Sequence, residues 1–175
     1  MKQNLVLVIA VTLLVAVACK DAETEAELKS FRDQAALEES NKAVAERWHM
    51  DLTVARNWEV AEEILAPDIV LHNPDGTVMM EGIDAVKGLD AAWKSMENIE
   101  IKNHEIIAEG DYVLIRWDAS FDQSVESMGV PASGNRVMNV FGMDLFLVRE
   151  GKIKELWQNF DQVSMMKQMG ALPAQ

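Results

Sequence analysis

Hydrophobic and polar positions follow three regimes along the chain. From Leu5 to Ala18 the residues are apolar, interrupted only by Thr12. Residues 20–39 are acidic, free of Gly and Pro, and carry large apolar side chains only at Leu28, Phe31 and Leu37. From Ser40 the spacing turns helical: Ser40 stands as an N-cap, and Val44, Trp48, Leu52 and Ala55 recur at three- and four-residue steps. Asn57 breaks that pattern, and WEVAEEILAP predicts a short second helix ending before Pro67. IVLHN (69–73) alternates as a strand and stops at Pro74-Asp75-Gly76. Residues 82–96 predict a third helix with Ile83, Val86, Leu89 and Trp93 along one stripe. The segments 99–108, 111–122, 136–149 and 152–161 read as strands, separated by Glu109-Gly110-Asp111, the loop GVPASGN, and Glu150-Gly151-Lys152. The first and last of these separators are short enough for hairpins. Helices first and an antiparallel meander afterwards define an α+β chain, not a parallel α/β one.

The N-terminal apolar run is short for a membrane-spanning helix and follows a single cation, Lys2, as a signal-peptide core does. It ends in Ala16-Val17-Ala18-Cys19, and Cys19 is the only cysteine, so no internal disulfide is available. This ending resembles a bacterial lipoprotein signal, which implies cleavage before Cys19 and acylation of its thiol. The alternative is an ordinary small-residue cleavage site with a chance cysteine. Lys20 stands where an inner-membrane retention aspartate would, and by the same resemblance that implies the outer membrane, facing the periplasm, in a Gram-negative cell. The expected organisation is a leader over 1–18, an acidic tether over 19–39 and one domain over 40–175. Net charge is −13, and −14 once Lys2 leaves with the leader. Such a surface argues against nucleic acid and against an anionic membrane face, leaving the lipid on Cys19 as the membrane contact.

Four segments occur in order: EGDYVLIRW, GVPASGNRV, FGMDLFLVREGKIKELW and WQNFDQVSMMKQMG. Together, over roughly 40–170, they resemble the SnoaL-like polyketide cyclase or ester cyclase branch of the nuclear-transport-factor-2-like superfamily. The family ending is a Trp, three residues, an Asp and a short helix closing in Gln-Leu-Gly; here it is Trp157, Asp161 and Gln168-Met169-Gly170. The resemblance implies a cone-shaped fold with three N-terminal helices on a curved, mostly antiparallel sheet, an apolar pocket, and no cofactor. It also implies a homodimer through the outer sheet face.

Two readings of Asp161 stay open. Strand parity places Ile153, Glu155, Trp157, Asn159 and Asp161 on one face, so Trp157 would wall a pocket around the carboxylate. By the resemblance, that Asp is the acid/base of ring closure. Alternatively, Asp161 caps the helix 162–169 and accepts backbone N–H bonds. His72, closing its strand, is the candidate partner, with Asn73 beside it. Trp117, Asp118 and Asn159 are candidate ligand-binding residues. Arg116, Asp118, Ser120 and Asp122 share one strand face and Val113, Ile115, Trp117 and Phe121 the other, and which face lines the cone is open. Asn139 and Asp144 lie on opposite faces of their strand, so at most one points inward. His49, beside Trp48 on a helix, and His104, among polar residues on an edge strand, are weaker candidates. The chain departs from the family in having Asp118-Ala119-Ser120-Phe121 where members often carry Gly-Thr-His, and no histidine after His104. No metal-ligand spacing, phosphate loop or reactive cysteine occurs. Methionines gather at 79–80, 138–143 and 165–169; core packing explains most of them, and Met is also an adaptable lining for an apolar pocket. Two functions follow: a cofactor-free acid–base enzyme (cyclase, isomerase or hydrolase type) on a small apolar carbonyl or ester compound, or a non-catalytic small-ligand-binding or protein-interaction domain on the cell envelope.

Overall fold

A computed structural model describes the backbone of residues 2–126 and 129–173, with side chains from residue 23 onward apart from Ala92. Contacts divide the chain into two compact units, Met1–Leu37 and Glu38–Gln175. In the first, the backbone is helical and every described side chain is exposed. The Cys19 side chain and the leader side chains lie outside the described residues.

Helix α1 runs Lys2–Arg47 without a break at Ser40. Nothing between residues 20 and 47 can stop it: the stretch lacks Gly and Pro and is rich in Ala, Glu, Leu, Lys and Gln, all strong helix formers. Ser40 is therefore an exposed mid-helix residue, not the cap expected for it. The helix continues as a π-helical segment, Trp48–Val54. A 3₁₀ turn Trp58–Val60 and helix α2 (Ala61–Ile64) follow. Strands β1 (Leu65–His72) and β2 (Val78–Glu81) form a hairpin that the sequence pattern only half predicted. The expected third helix is two, α3 (Ile83–Lys87) and α4 (Leu89–Trp93), divided at Gly88.

Strands β3 (Met96–Glu109), β4 (Tyr112–Gln123), β5 (Arg136–Arg149) and β6 (Lys152–Phe160) form the meander, and α5 (Gln162–Gln168) closes it. The sheet order is β2-β1-β6-β5-β4-β3, with only the β1–β6 pair parallel. The β5–β6 turn is Glu150-Gly151, both at positive φ (54° and 71°), as a two-residue hairpin demands.

Register shifts interrupt every pairing and bend the strands over the helices. One matters for function. Between β5 and β6, Leu147 pairs Glu155 but Val148 pairs Ile153, so Lys154 is an extra residue. Past this bulge the parity of β6 inverts. Ile153 and Leu156 both enter the core, and the face of Leu156 carries Gln158 and Phe160 inward. Trp157, Asn159 and Asp161 therefore point to the other side of the sheet, against the uniform alternation expected for 153–161.

Candidate active site

The concave side of the sheet, α4 and the π-helical segment enclose a cavity of about 390 Å³. Its lining is mainly apolar, with Trp93, Ile101, Trp117, Phe121, Val140 and Met165 among the wall residues. Exposed Met79, Ala91, Glu126 and Gln162 form the rim. On β4 the apolar face lines the cone, so Trp117 is a wall residue.

Polar groups concentrate at the inner end. His49 is 2% exposed and Asp144 fully buried, and His49 Nε2 lies 2.9 Å from Asp144 Oδ2. His49 Nδ1 lies 2.7 Å from Asn103 Oδ1. Gln158 donates from Nε2 to Asp144 Oδ2 at 3.1 Å. His49 and Gln158 line the cavity, and together they cover Asp144. Two polar atoms here have no hydrogen-bond partner among the described residues: Trp117 Nε1 and Asp144 Oδ1.

Local structure explains the arrangement. Ala45, Trp48, His49, Leu52 and Thr53 are all buried, a single stripe at helical spacing that includes the histidine. Asp144 faces inward on β5 opposite Gln158 on β6, and Ile115 opposite it on β4. Trp117 faces Gly142 across the β4–β5 ladder. A Cβ at position 142 would lie 2.3 Å from Trp117 Cζ2 and 2.6 Å from Cε2, so the indole rests on bare backbone. His49 packs edge-on against Trp117, ring centroids 5.8 Å apart.

The donor–acceptor inventory fixes where the protons are. Asn103 Oδ1 only accepts, so His49 Nδ1 carries a hydrogen. Across the Nε2–Oδ2 contact exactly one proton is required, making the couple either imidazolium–carboxylate or imidazole–carboxylic acid. A proton is thus held between two buried groups, with Asp144 Oδ1 unspent.

Most sequence-derived candidates lie elsewhere. Asp161 is exposed and caps α5, its Oδ1 accepting from the Ser164 N–H at 2.8 Å. Trp157 lies outside the cavity, stacked on His72 at 4.6 Å between centroids and 5° between planes. His72 Nε2 is 2.7 Å from Glu155. Asn73 holds the β1–β2 turn through Thr77. Asp118 pairs His104 on the convex face, and Asn159 is exposed there. The β6 bulge turns Trp157, with His72 stacked on it, and Asp161 away from the cone, and of the favoured catalytic and ligand-binding candidates only Trp117 lines it. His49 was ranked as a weaker candidate, Asn103 and Gln158 were missed, and Asp144 was left undecided. The position of His49, four residues after Ala45 and three before Leu52, is the sequence signal that places it on the buried stripe.

Nearer the rim, Trp58 Nε1 donates to Asp90 at 3.0 Å and stacks on Trp93. The Lys94 ammonium bonded to Asp90 holds that carboxyl below its ordinary range. Among the described residues no group of three or more His, Cys, Asp or Glu side chains is arranged to hold a metal ion.

This helix-capped cone with a buried polar end is the architecture of the nuclear-transport-factor-2-like proteins. The chain belongs to the SnoaL-like domain family, which matches residues 45–156. A protein from Jannaschia sp. CCS1 named after the SnoaL-like polyketide cyclases aligns with TM-score 0.70 and 24% identity over 78% of this chain and 96% of its own. TsrD from Streptomyces laurentii aligns at TM-score 0.68 and 24% identity, over 77% and 97%. An epoxide hydrolase of M. tuberculosis aligns at 0.59 and 19%, over 76% and 91%. These likenesses establish the fold. No curated protein matches the chain by sequence.

Proposed function

We propose that the protein is a cofactor-independent acid–base enzyme acting on a small, mostly apolar carbonyl or ester compound. The observation that carries this is the buried His49–Asp144 couple at the inner end of an apolar cavity. Asn103 fixes the ring orientation and tautomer of His49. Asp144 exchanges a proton with substrate, and His49 stabilises whichever charge results. The apolar wall excludes water, which strengthens each of these interactions. Relatives of the same fold carry the names of a polyketide cyclase and an epoxide hydrolase, in keeping with acid–base work at oxygen-bearing substrates.

The test uses nitrobenzisoxazole, a flat apolar probe. A base removes its ring C–H proton, the N–O bond breaks, and a coloured cyanonitrophenolate is released. The folded protein should accelerate this above buffer, and Asp144→Asn should lower the rate about 10²–10⁴-fold. Asp161→Asn should leave it unchanged. An unaffected Asp144→Asn variant refutes the assignment.

One observation supports a second reading, a binding domain without turnover: both ring nitrogens of His49 already face protein groups. In that case the probe binds and the rate stays at the buffer value.

We also propose that Cys19 is acylated and tethers the domain to the membrane. Labelled fatty acid should mark the wild type in a bacterial host and not Cys19→Ser. Label retained in the variant overturns the anchor. A homodimer through the convex sheet face completes the proposal, supported by exposed Ile107, Tyr112, Phe141 and Met143 on β3, β4 and β5.

A further inference from the structure

We propose that the inner end of the cavity is a two-point site for a ligand hydroxyl, its oxygen accepting from Trp117 Nε1–H and its hydrogen donating to Asp144 Oδ1. The proposal rests on the cavity being the ligand site and adds what the ligand must carry there.

Trp117 Nε1 and Asp144 Oδ1 are one donor and one acceptor, both buried and both without a protein partner. Such atoms are rare because each forfeits its bonds to water on folding. Here both occur in one layer. The Trp117 indole overlies Gly142, and the atom carrying Nε1, Cε2, is among the closest to that backbone. Asp144 is the next residue on the same face of the same strand. His49 touches both, as ring against ring and as nitrogen against carboxylate. Glycine in the middle of a strand weakens it, so its presence under the indole marks a place where close approach outweighs strand stability.

The two atoms select the ligand's chemistry. A carbonyl or ether oxygen satisfies Trp117 alone. An ammonium satisfies Asp144 alone. Among single oxygen groups, only an O–H (alcohol, phenol or enol) satisfies both through one atom. Gln158 is the cover: its amide donates to the other oxygen of Asp144 and lines the cavity, so a side-chain rotation that breaks one 3.1 Å bond opens the carboxylate. An enolisable carbonyl compound would therefore be held most tightly as its enol, with Trp117 reading the oxygen. Trp117 is in this account a specificity-determining residue.

The experiment compares three rings of similar size: cyclohexanol, cyclohexanone and methylcyclohexane. Binding is followed through the indole N–H signals of the ¹⁵N-labelled protein, which has five tryptophans; the Trp117 signal is assigned by Trp117→Phe. Cyclohexanol should bind about tenfold tighter than methylcyclohexane, with cyclohexanone between them, and should move the Trp117 N–H signal downfield. Trp117→Phe should collapse the affinity ratios, removing the advantage of cyclohexanone over methylcyclohexane and most of that of cyclohexanol. If methylcyclohexane binds as tightly as cyclohexanol, or the wild-type Trp117 signal does not move, this inference falls and the cavity assignment stands. If none of the three binds, both fall.

Discussion

Replacing Gly142 by alanine adds a single methyl group to β5, and the structure says where it lands. The new Cβ would sit 2.3, 2.6 and 2.7 Å from Trp117 Cζ2, Cε2 and Cη2. No real Cβ approaches a ring so closely, and the ring is boxed in by His49 and Phe160, at 5.8 and 6.4 Å between centroids. Either the indole tilts into the cavity or the β4–β5 ladder opens. Overpacking of this kind costs about 1–3 kcal/mol. The substitution also restricts the unfolded chain, returning about 0.4–1 kcal/mol, because Gly142 does not need a positive φ. The net loss should be about 1–2 kcal/mol, a fall in Tm of roughly 3–8 °C for a domain of this size. Thermal unfolding followed by circular dichroism measures it. The double-mutant cycle supplies the specific check: in a Trp117→Phe background the smaller ring should absorb the methyl group, and most of the penalty should vanish. A neutral or stabilising Gly142→Ala, or an equal penalty in both backgrounds, refutes the claim that bare backbone under the indole positions it.

Asp161→Ala should destabilise the domain by about 1 kcal/mol through loss of the α5 cap, and Asp161→Asn by less, since Asn also caps; urea unfolding of both variants checks this. Asp122 accepts from Asn98 and Arg136, whose bonds hold its carboxyl below the ordinary 3.8. A depressed folded value gives stability that is complete above 3.8 and is lost as pH falls through the lower folded value. The advantage of wild type over Asp122→Asn in urea midpoint should therefore narrow below that pH, and an undiminished advantage there contradicts the assignment. Phe141→Glu, placing a charge in the convex apolar face, should convert a dimer to a monomer in light scattering; an unchanged mass contradicts the proposed interface.

The order of elements was legible because it depends on local signals. Helical spacing stops where strand alternation begins, and Glu109-Gly110 and Glu150-Gly151 mark hairpins that the structure contains at those positions. The site was less legible because it depends on parity across bulges. Uniform alternation over 153–161 puts Ile153 and Trp157 on one face; the extra residue at Lys154 sends Ile153 inward and Trp157 outward. One residue thus exchanged Gln158 for Asp161 in the cavity. On β5 the same question left Asp144 undecided, and it is settled only by pairing with Ile115 and Gln158. His49 was discounted for neighbouring Trp48, yet both are buried, since a helix face wide enough to cover a sheet takes adjacent residues.

We place the working end of this protein at His49–Asp144 and not at Asp161, Trp157 and His72 on the other side of the sheet. The chain has three histidines, so its imidazole C–H spectrum holds three assignable pairs of signals, one for each of His49, His72 and His104. Titrating nitrobenzisoxazole into the labelled domain, with His→Gln variants for assignment, reads directly which imidazole meets a cavity ligand. The His49 signals should shift with occupancy while those of His72 and His104 stay in place. Shifts at His72 with His49 unmoved would contradict it.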